Sequence, residues 1–342
     1  MSNDYFMQKC FKLALKALGN TSPNPLVGCV IVKNNKIIAT GYHQKSGTAH
    51  AELDAINKTT ESLQGATLYC NLEPCCHLNK KTPPCAQRII KEGITKVVIS
   101  NLDPNPEVAG KGVNLLRENG IEVITGVSEH EGAILNEVFF THITKERPFI
   151  HLKWAQTIDG KIATKSHDSK WITSVESRQR VHFERSCYDA VAVGAKTAIK
   201  DNPELTIRIK DQKTYSKKRI VFTKGLQELP SDLKLFSDQY SKNTIVKDLS
   251  NLSQALKELY LDGIKSIYIE GGAQTLNLFL EKQLFDRISV YIAPKILGDG
   301  VHLNFGPTAT MQDALKLDKA IINKINQDIY IQSQENLCLP DL

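Results

Sequence analysis

The chain has 342 residues, 41% of them hydrophobic and 23% charged, with a formal net charge of +6. That length argues for two domains rather than one core, and no apolar run approaches the roughly 18 residues that would span a bilayer. The basic residues are spread thinly. This excludes the dense basic, aromatic-studded face of a nucleic-acid binder and leaves a solvated surface or a field that attracts anionic substrates.

The N-terminal stretch MSNDYFMQKCFKLALKALGN has an early acidic residue and no uninterrupted apolar segment, so it does not read as a signal peptide, and we expect a cytoplasmic protein. Its apolar positions Phe6, Cys10, Leu13, Ala14, Ala17 and Leu18 recur at helical spacing. After a turn-rich TSPNP come strands at LVGCVIV and IIATGYH, a helix from about Ala49 to Thr59, and a strand TLYCNL. Pro83 and Pro84 precede a helix CAQRIIKEG; then follow a strand KVVIS, a helix GKGVNLLRENG, a strand IEVIT and one longer amphipathic helix EHEGAILNEVFFTHIT. KERPF marks the expected boundary, giving domains 1–146 and 147–342. Beyond it, strands are expected at FIHLKWAQT, DAVAVGAKT, RIVFT, SIYIEGG and RISVYIAP, with AIINKINQDIYIQS closing the sheet. Helices are expected at TSVESRQRVHFERS, where Thr173 and Glu176 offer a capping box, and near 252–262 and 273–283. Both halves are therefore layered α/β.

The chain holds 8 cysteines, and Cys75, Cys76 and Cys85 crowd into one segment, which suggests metal chemistry rather than a disulfide framework. His50, Cys75 and Cys85 supply the three nitrogen and sulfur donors of a catalytic zinc site, each beside a helix start. Glu52 lies close to His50 but is poor company for soft thiolates. A hydrolytic deaminase needs this division: the metal acidifies water, and a carboxylate outside its ligand set moves the proton. Residues two apart along a helix point about 200° apart, so His50 and Glu52 can share a site only if the metal lies over the first turn. The pattern is close to the H-x-E and P-C-x-x-C signature of zinc nucleobase deaminases, with a longer gap between the cysteines. Cys76 reads as a bystander, and His77 as a turn residue or a substrate contact.

With their surroundings, TSPNPLVGCVIV, GYHQKSGTAHAE, LEPCCHLNKKTPPC and DPNPEVAGKG resemble the deaminase domain of the bifunctional riboflavin-biosynthesis deaminase–reductases. LKWAQTIDGKIAT, WITS, VGAKTAIKDNPELTIR, IEGG and YIAPKILG resemble that family's reductase domain. The resemblance implies a cytidine-deaminase-like α/β/α N-terminal domain and a dihydrofolate-reductase-like α/β C-terminal domain. It further implies zinc-dependent deamination of a diamino-pyrimidinone carrying a phosphoribosylamino arm, then reduction of the ribosyl group to ribityl with NADPH, in a homo-oligomer.

Carried over residue by residue, the resemblance assigns Asn24, His43, His77 and Lys81 to the deaminase substrate, with Lys80 able to act like Lys81. It assigns Lys153, Ser174, Arg185, Asp201, Leu205, Arg208 and Glu270 to the reductase substrate. Ala155, Trp171, Thr173, Gly194, Thr197, Gly271 and Gly272 fall to NADPH. The Cys75–Cys85 segment is longer than the family's usual run, and Thr223 stands where relatives usually carry an aspartate. Two other readings remain open. One is a tRNA-base deaminase with a C-terminal binding module, which calls for a basic face. The other is a structural zinc protein, which calls for a fourth protein ligand, Cys76 or His77.

Overall fold

The computed structural model describes residues 1–76, 84–225, 229–306, 310–317 and 319–333. They form two compact units, Met1–Lys145 and a second from Glu146 onward. No helix among the described residues is long and apolar enough to cross a membrane.

The first unit runs α1 (Asn3–Leu15), β1 (Gly28–Lys33), β2 (Lys36–Tyr42), α2 (Ala51–Lys58), β3 (Thr67–Leu72), α3 (Cys85–Lys91), β4 (Lys96–Asn101), α4 (Lys111–Glu118), β5 (Glu122–Ile124), α5 (Glu129–Leu135) and α6 (Glu137–Lys145). Its sheet has the order β2-β1-β3-β4-β5. β1 pairs antiparallel with both β2 and β3, whereas β3, β4 and β5 are parallel. Strand alternation builds a core on each face. Cys29 and Ile31, Leu68 and Cys70, and Val97 and Ile99 face one cluster, which includes Ala51 and Ala55 of α2 and Ile89 of α3. Val30, Tyr69 and Val98 face the other, with Phe6, Met7, Cys10 and Phe11 of α1.

The expected long helix at 129–144 is two helices broken at Asn136. Asn136 is buried, and its side chain accepts from Leu26 N (2.8 Å) and donates to Leu26 O (3.0 Å). A residue whose side chain is committed to a distant backbone cannot also point where an unbroken helix would send it.

Gly41 seats the helix that follows His50 and carries Glu52. A Cβ there would stand 2.4 Å from both Ala51 O and Ala55 N. Gly41→Ala is therefore expected to lift α2 from β2, lowering stability by about 1–3 kcal/mol and reducing retained zinc. Thermal denaturation together with metal stoichiometry measures both effects.

The second unit runs β6 (Phe149–Thr157), α7 (Val175–Ser186), β7 (Ala190–Gly194), α8 (Ala195–Asp201), β8 (Lys218–Thr223), α9 (Lys234–Ser237), β9 (Thr244–Asp248), α10 (Leu252–Leu261), β10 (Ser266–Ile269), α11 (Ala273–Glu281), β11 (Arg287–Ala293), β12 (Ile321–Ile325) and β13 (Asp328–Gln332). The sheet order is β12-β13-β11-β6-β10-β7-β8-β9. Strands β11 through β9 in that order are parallel, and the β12–β13 hairpin adds antiparallel at one edge.

One face of this sheet is apolar: Ile150, Leu152, Ile267, Ile269, Ile288 and Val290 pack with Leu256 of α10 and Leu276 and Phe279 of α11. The other face carries His151, Lys153, Tyr268, Ser289, Tyr291 and Tyr330 from the same strands, because successive side chains alternate. Ser174, not Thr173, caps α7, accepting from Ser177 N at 3.3 Å. The Asp328 carboxylate fixes that choice by accepting from Ser174 N (2.8 Å) and Ser174 Oγ (2.6 Å). The expected strand DAVAVGAKT stops at Gly194, where α8 begins, and β9 and α9 were not anticipated.

Candidate functional site

Three donors converge in the first unit. His50 is the residue before α2, in extended conformation, and its side chain does not cap its own helix. It turns toward Cys75, in the loop after β3, and Cys85, the first residue of α3. His50 Nδ1 lies 3.5 Å from Cys75 Sγ and 3.3 Å from Cys85 Sγ, and all three donor atoms lie within 4.8 Å of one another. Two ligands of one tetrahedral zinc, a thiolate and an imidazole nitrogen, stand about 3.6 Å apart, so the donor set fits that ion. The Cys85 thiol and the His50 imidazole draw Cys75 well below the ordinary thiol range, while Cys85, deep beside Cys75 and Glu52, is held above it. A cation bound among these groups would favour the thiolate form of both cysteines. The backbone N–H of Cys85 also donates to Cys75 Sγ at 3.5 Å.

Glu52 sits in the first turn of α2, only 3% exposed. Burial pushes its carboxyl up, against the opposing pull of His50. It is not one of the grouped donors. Nor is Cys76, which packs instead at the edge of the apolar cluster. His77, Lys80 and Lys81 lie outside the described residues.

Asn24 and His43 come to the same place. His43 Nδ1 lies 3.0 Å from Ala49 O, and since a carbonyl only accepts, Nδ1 carries the proton. Nε2 then accepts from Asn24 Nδ2 at 3.0 Å, and the His43 ring meets the His50 ring edge-on, centroids 5.7 Å apart.

In the second unit, Gly194, Glu270, Gly271 and Gly272 lie at the carboxyl ends of β7 and β10, where open parallel sheets bind ligands. Arg185 of α7 and Glu270, just after β10, form a bidentate pair: Arg185 Nε donates to Glu270 Oε1, and Nη2 donates to Oε2 at 2.9 Å. Burial pushes the Glu270 carboxyl up, but the Arg185 guanidinium outweighs it and, with Lys153, holds the carboxyl at about 2. Arg185 Nη1 also donates to Thr206 O (2.7 Å), tying in the 201–208 segment. Within that segment Leu205 is buried with φ +51°, and Arg208 Nη1 donates to Thr206 Oγ1 (2.7 Å) and Glu204 Oε2 (3.2 Å). Asp201 closes α8.

Gly194, Thr197, Gly271 and Gly272 meet where β7 and β10 turn into helices. Gly194 N donates to Gly271 O at 3.0 Å. A Cβ on Gly194 would lie 2.3 Å from Thr275 Oγ1, and one on Gly272 2.7 Å from Thr197 Oγ1. Trp171 is 62% exposed, with the Arg178 guanidinium 4.3 Å from its ring centre, and Thr173 O accepts from Arg178 Nη1. Lys153 and Ala155 lie on the polar face of β6.

Comparison with known proteins bears on both units. Residues 148–331 match the RibD C-terminal domain, and residues 1–101 match the cytidine and deoxycytidylate deaminase zinc-binding region. The riboflavin biosynthesis protein RibD of Aquifex aeolicus is 44% identical over 95% of this chain and 96% of its own length. The chain belongs to the RibD family. The RibD of Escherichia coli is 34% identical over 87% of this chain and 89% of its own. A crystal structure of a diaminohydroxyphosphoribosylaminopyrimidine deaminase/5-amino-6-(5-phosphoribosylamino)uracil reductase from Thermotoga maritima superposes with a TM-score of 0.87 at 38% identity, covering 96% of this chain and 97% of that one. As in the RibD family generally, a zinc-binding deaminase unit is joined here to an NADPH-dependent reductase unit.

Some residues at these RibD-family sites carry little sequence signal. Glu73 is buried and accepts from Gly110 N (2.9 Å), Val113 N (3.1 Å) and Asp103 N (3.2 Å), which fastens the DPNPEVAGKG loop beside the zinc loop. Its only sequence mark is its place before Pro74-Cys75. His182 stands one helical turn before Arg185, and its Nδ1 accepts from Arg208 N at 3.3 Å. Burial, then Arg185 and Arg208, lower it to about 4, so it is neutral near pH 7. Thr223 is buried and donates to Lys247 O (3.4 Å) inside the sheet.

Proposed function

We propose that the first unit removes the 2-amino group of 2,5-diamino-6-(5-phosphoribosylamino)pyrimidin-4(3H)-one and that the second reduces the resulting 5-amino-6-(5-phosphoribosylamino)uracil to its ribityl form. The observation that carries this reading is the His50–Cys75–Cys85 donor set with the Glu52 carboxyl buried beside it but outside it. His50, Cys75 and Cys85 would hold zinc, which supplies the Lewis acidity that brings a water's pKa toward about 7. Glu52 takes a proton from water as the water oxygen bonds to the ring carbon. It then passes that proton to the amino nitrogen, which leaves as ammonia. Asn24, held by His43, orients the pyrimidine, and Lys81 meets the phosphate.

In the second unit, NADPH when bound would supply the hydride for ribose C1′ of the opened or imine form, the attached nitrogen or oxygen taking up a proton. Gly194, Thr197, Gly271 and Gly272 give the cofactor close backbone approach, with Ala155, Trp171 and Thr173 beside it. Lys153, Ser174, Arg185, Asp201, Leu205, Arg208 and Glu270 shape the substrate side. The guanidinium of Arg208 suits a phosphate because it bonds bidentately. The substrate is a small phosphorylated pyrimidine rather than a nucleic acid, and the chain works as a cytoplasmic homo-oligomer, which light scattering on the purified protein checks.

The test follows ammonia and absorbance at about 340 nm, the nicotinamide band, with zinc-loaded protein and the diamino-pyrimidinone, with and without NADPH. Ammonia is expected in both cases, and NADPH oxidation only once deaminated product has formed. Lys153→Ala is expected to lower NADPH oxidation by about 10²-fold or more while ammonia release persists. Parallel loss of both rates would refute separate sites.

A further inference from the structure

The polar face of the reductase sheet, under α7, holds one continuous hydrogen-bonded chain. Tyr188 OH lies 2.5 Å from His151 Nδ1, His151 Nε2 lies 2.7 Å from Ser289 Oγ, and Ser289 Oγ lies 3.0 Å from Tyr330 OH. Tyr330 OH reaches Glu184 Oε1 at 2.8 Å, and Tyr268 OH and Tyr291 OH reach Glu184 Oε2 at 2.6 and 2.9 Å. Arg180 Nε adds a longer contact to Oε1 at 3.4 Å. Glu184 itself is only 4% exposed.

The donors can be assigned around this chain. An ionised carboxylate only accepts, so all three tyrosines donate to Glu184. Ser289 must then donate to Tyr330, His151 Nε2 to Ser289, and Tyr188 to His151 Nδ1. Every proton points toward Glu184, and His151 is neutral, as burial requires by lowering it to about 3. The opposite face of the same strands is plain Ile, Leu and Val. An apolar layer would have sufficed for packing on this side too, so the buried charge calls for a separate explanation.

Lys153 provides one. It is next to His151 on the same face of β6, opposite Ser289 of β11. Its Nζ stands 5.5 Å from the centre of the Tyr291 ring, whose hydroxyl donates to Glu184. Donation to a carboxylate enriches the ring's electron density and strengthens its attraction for a cation. We propose that Glu184, acting through Tyr291, is a positioning residue of the reductase step, holding the Lys153 ammonium over the tyrosine face and toward the substrate. This rests on the reading of Lys153 as a substrate-side residue.

The groups facing Lys153 come from each neighbouring element. They are Glu270 after β10, Glu184 and Arg185 on α7, Tyr291 and Ser289 on β11, and neutral His151 on β6 itself. Burial lowers the ammonium's pKa and Arg185 lowers it further, while Glu270 and Glu184 raise it. Removing the Glu184 charge therefore brings Lys153 deprotonation to lower pH.

The experiment measures reductase kcat/KM against pH with pre-deaminated substrate and NADPH. Thermal unfolding of the second unit serves as the folding control. In Glu184→Gln the alkaline limb is expected to move to lower pH, because the carboxylate that favours the ammonium is gone. In Tyr291→Phe, which keeps the ring, it should move less in the same direction. A limb that stays in place in both variants overturns the proposal, whatever the loss of rate, because a purely structural role lowers rate without moving a titration. If Glu184→Gln loses the folded reductase unit, Tyr291→Phe decides alone. Lys153→Met separates the two readings: undiminished reduction in that variant removes Lys153 from the reaction, whereas a dead variant beside an unmoved limb sinks only the role of Glu184.

Discussion

Glu52→Gln is expected to lower ammonia release by about 10²–10⁴-fold, the usual contribution of a positioned general acid–base, while reduction of pre-deaminated substrate continues. The substitution keeps the size of the side chain and removes its ability to carry a proton between water and the leaving nitrogen. Because Glu52 is not among the grouped donors His50, Cys75 and Cys85, the variant should still retain zinc. Loss of turnover with metal content preserved distinguishes a proton carrier from a ligand. If instead zinc content and turnover fell together, Glu52 would be a structural part of the metal site. If turnover were unaffected, the assignment of Glu52 as the proton carrier would fail. The same comparison judges a structural zinc protein, in which Glu52 has no chemical role.

Arg185→Met is expected to destabilise the reductase unit by about 3–5 kcal/mol near pH 7, because it strands the Glu270 carboxylate in a buried position. The two side chains are 13% and 10% exposed, so solvent screens little of the pair. The pH dependence follows from the direction of the Glu270 shift. Its carboxyl is depressed to about 2 when folded, against about 4.3 in an unfolded chain. A depressed acid stabilises the fold fully above the unfolded pKa, and that stability is lost as pH falls through the folded one. The deficit of Arg185→Met should thus be constant above about pH 5 and shrink toward about pH 2. Denaturant unfolding at several pH values measures it, provided the transition of the second unit is resolved from that of the first. A deficit independent of pH would mean that Arg185 matters for its packing alone. NADPH oxidation should fall in the same variant, since Arg185 also anchors Thr206 of the substrate-side segment.

Much of the metal site was legible before any fold was known. His50 and Cys85 each sit beside a helix start, the second announced by Pro83-Pro84, whereas Cys75, also expected beside one, lies in the loop after β3. Local rules govern helix ends, so the chemistry of these positions could be read from short stretches. The resemblance then supplied Asn24 and His43, and the structure joined them through a histidine tautomer that no spacing encodes. The substrate-side charges of the reductase were legible only as members of a family pattern. Nothing near Arg185 in sequence points to Glu270, 85 residues away.

By itself the sequence determined most of the element types, though not α8, α9 or β9, the alternation that gives each sheet two faces, and the residues able to bind a soft divalent metal. These depend on backbone propensity, side-chain period and donor chemistry, all of which act over a few residues. The tertiary structure alone decided which elements meet. Asn136 breaks a helix because Leu26 lies beside it, Ser174 displaces Thr173 as a cap because Asp328 arrives from β13, and three tyrosines from three strands surround Glu184. Strand order and register set those meetings, and they arise from the packing of the whole chain.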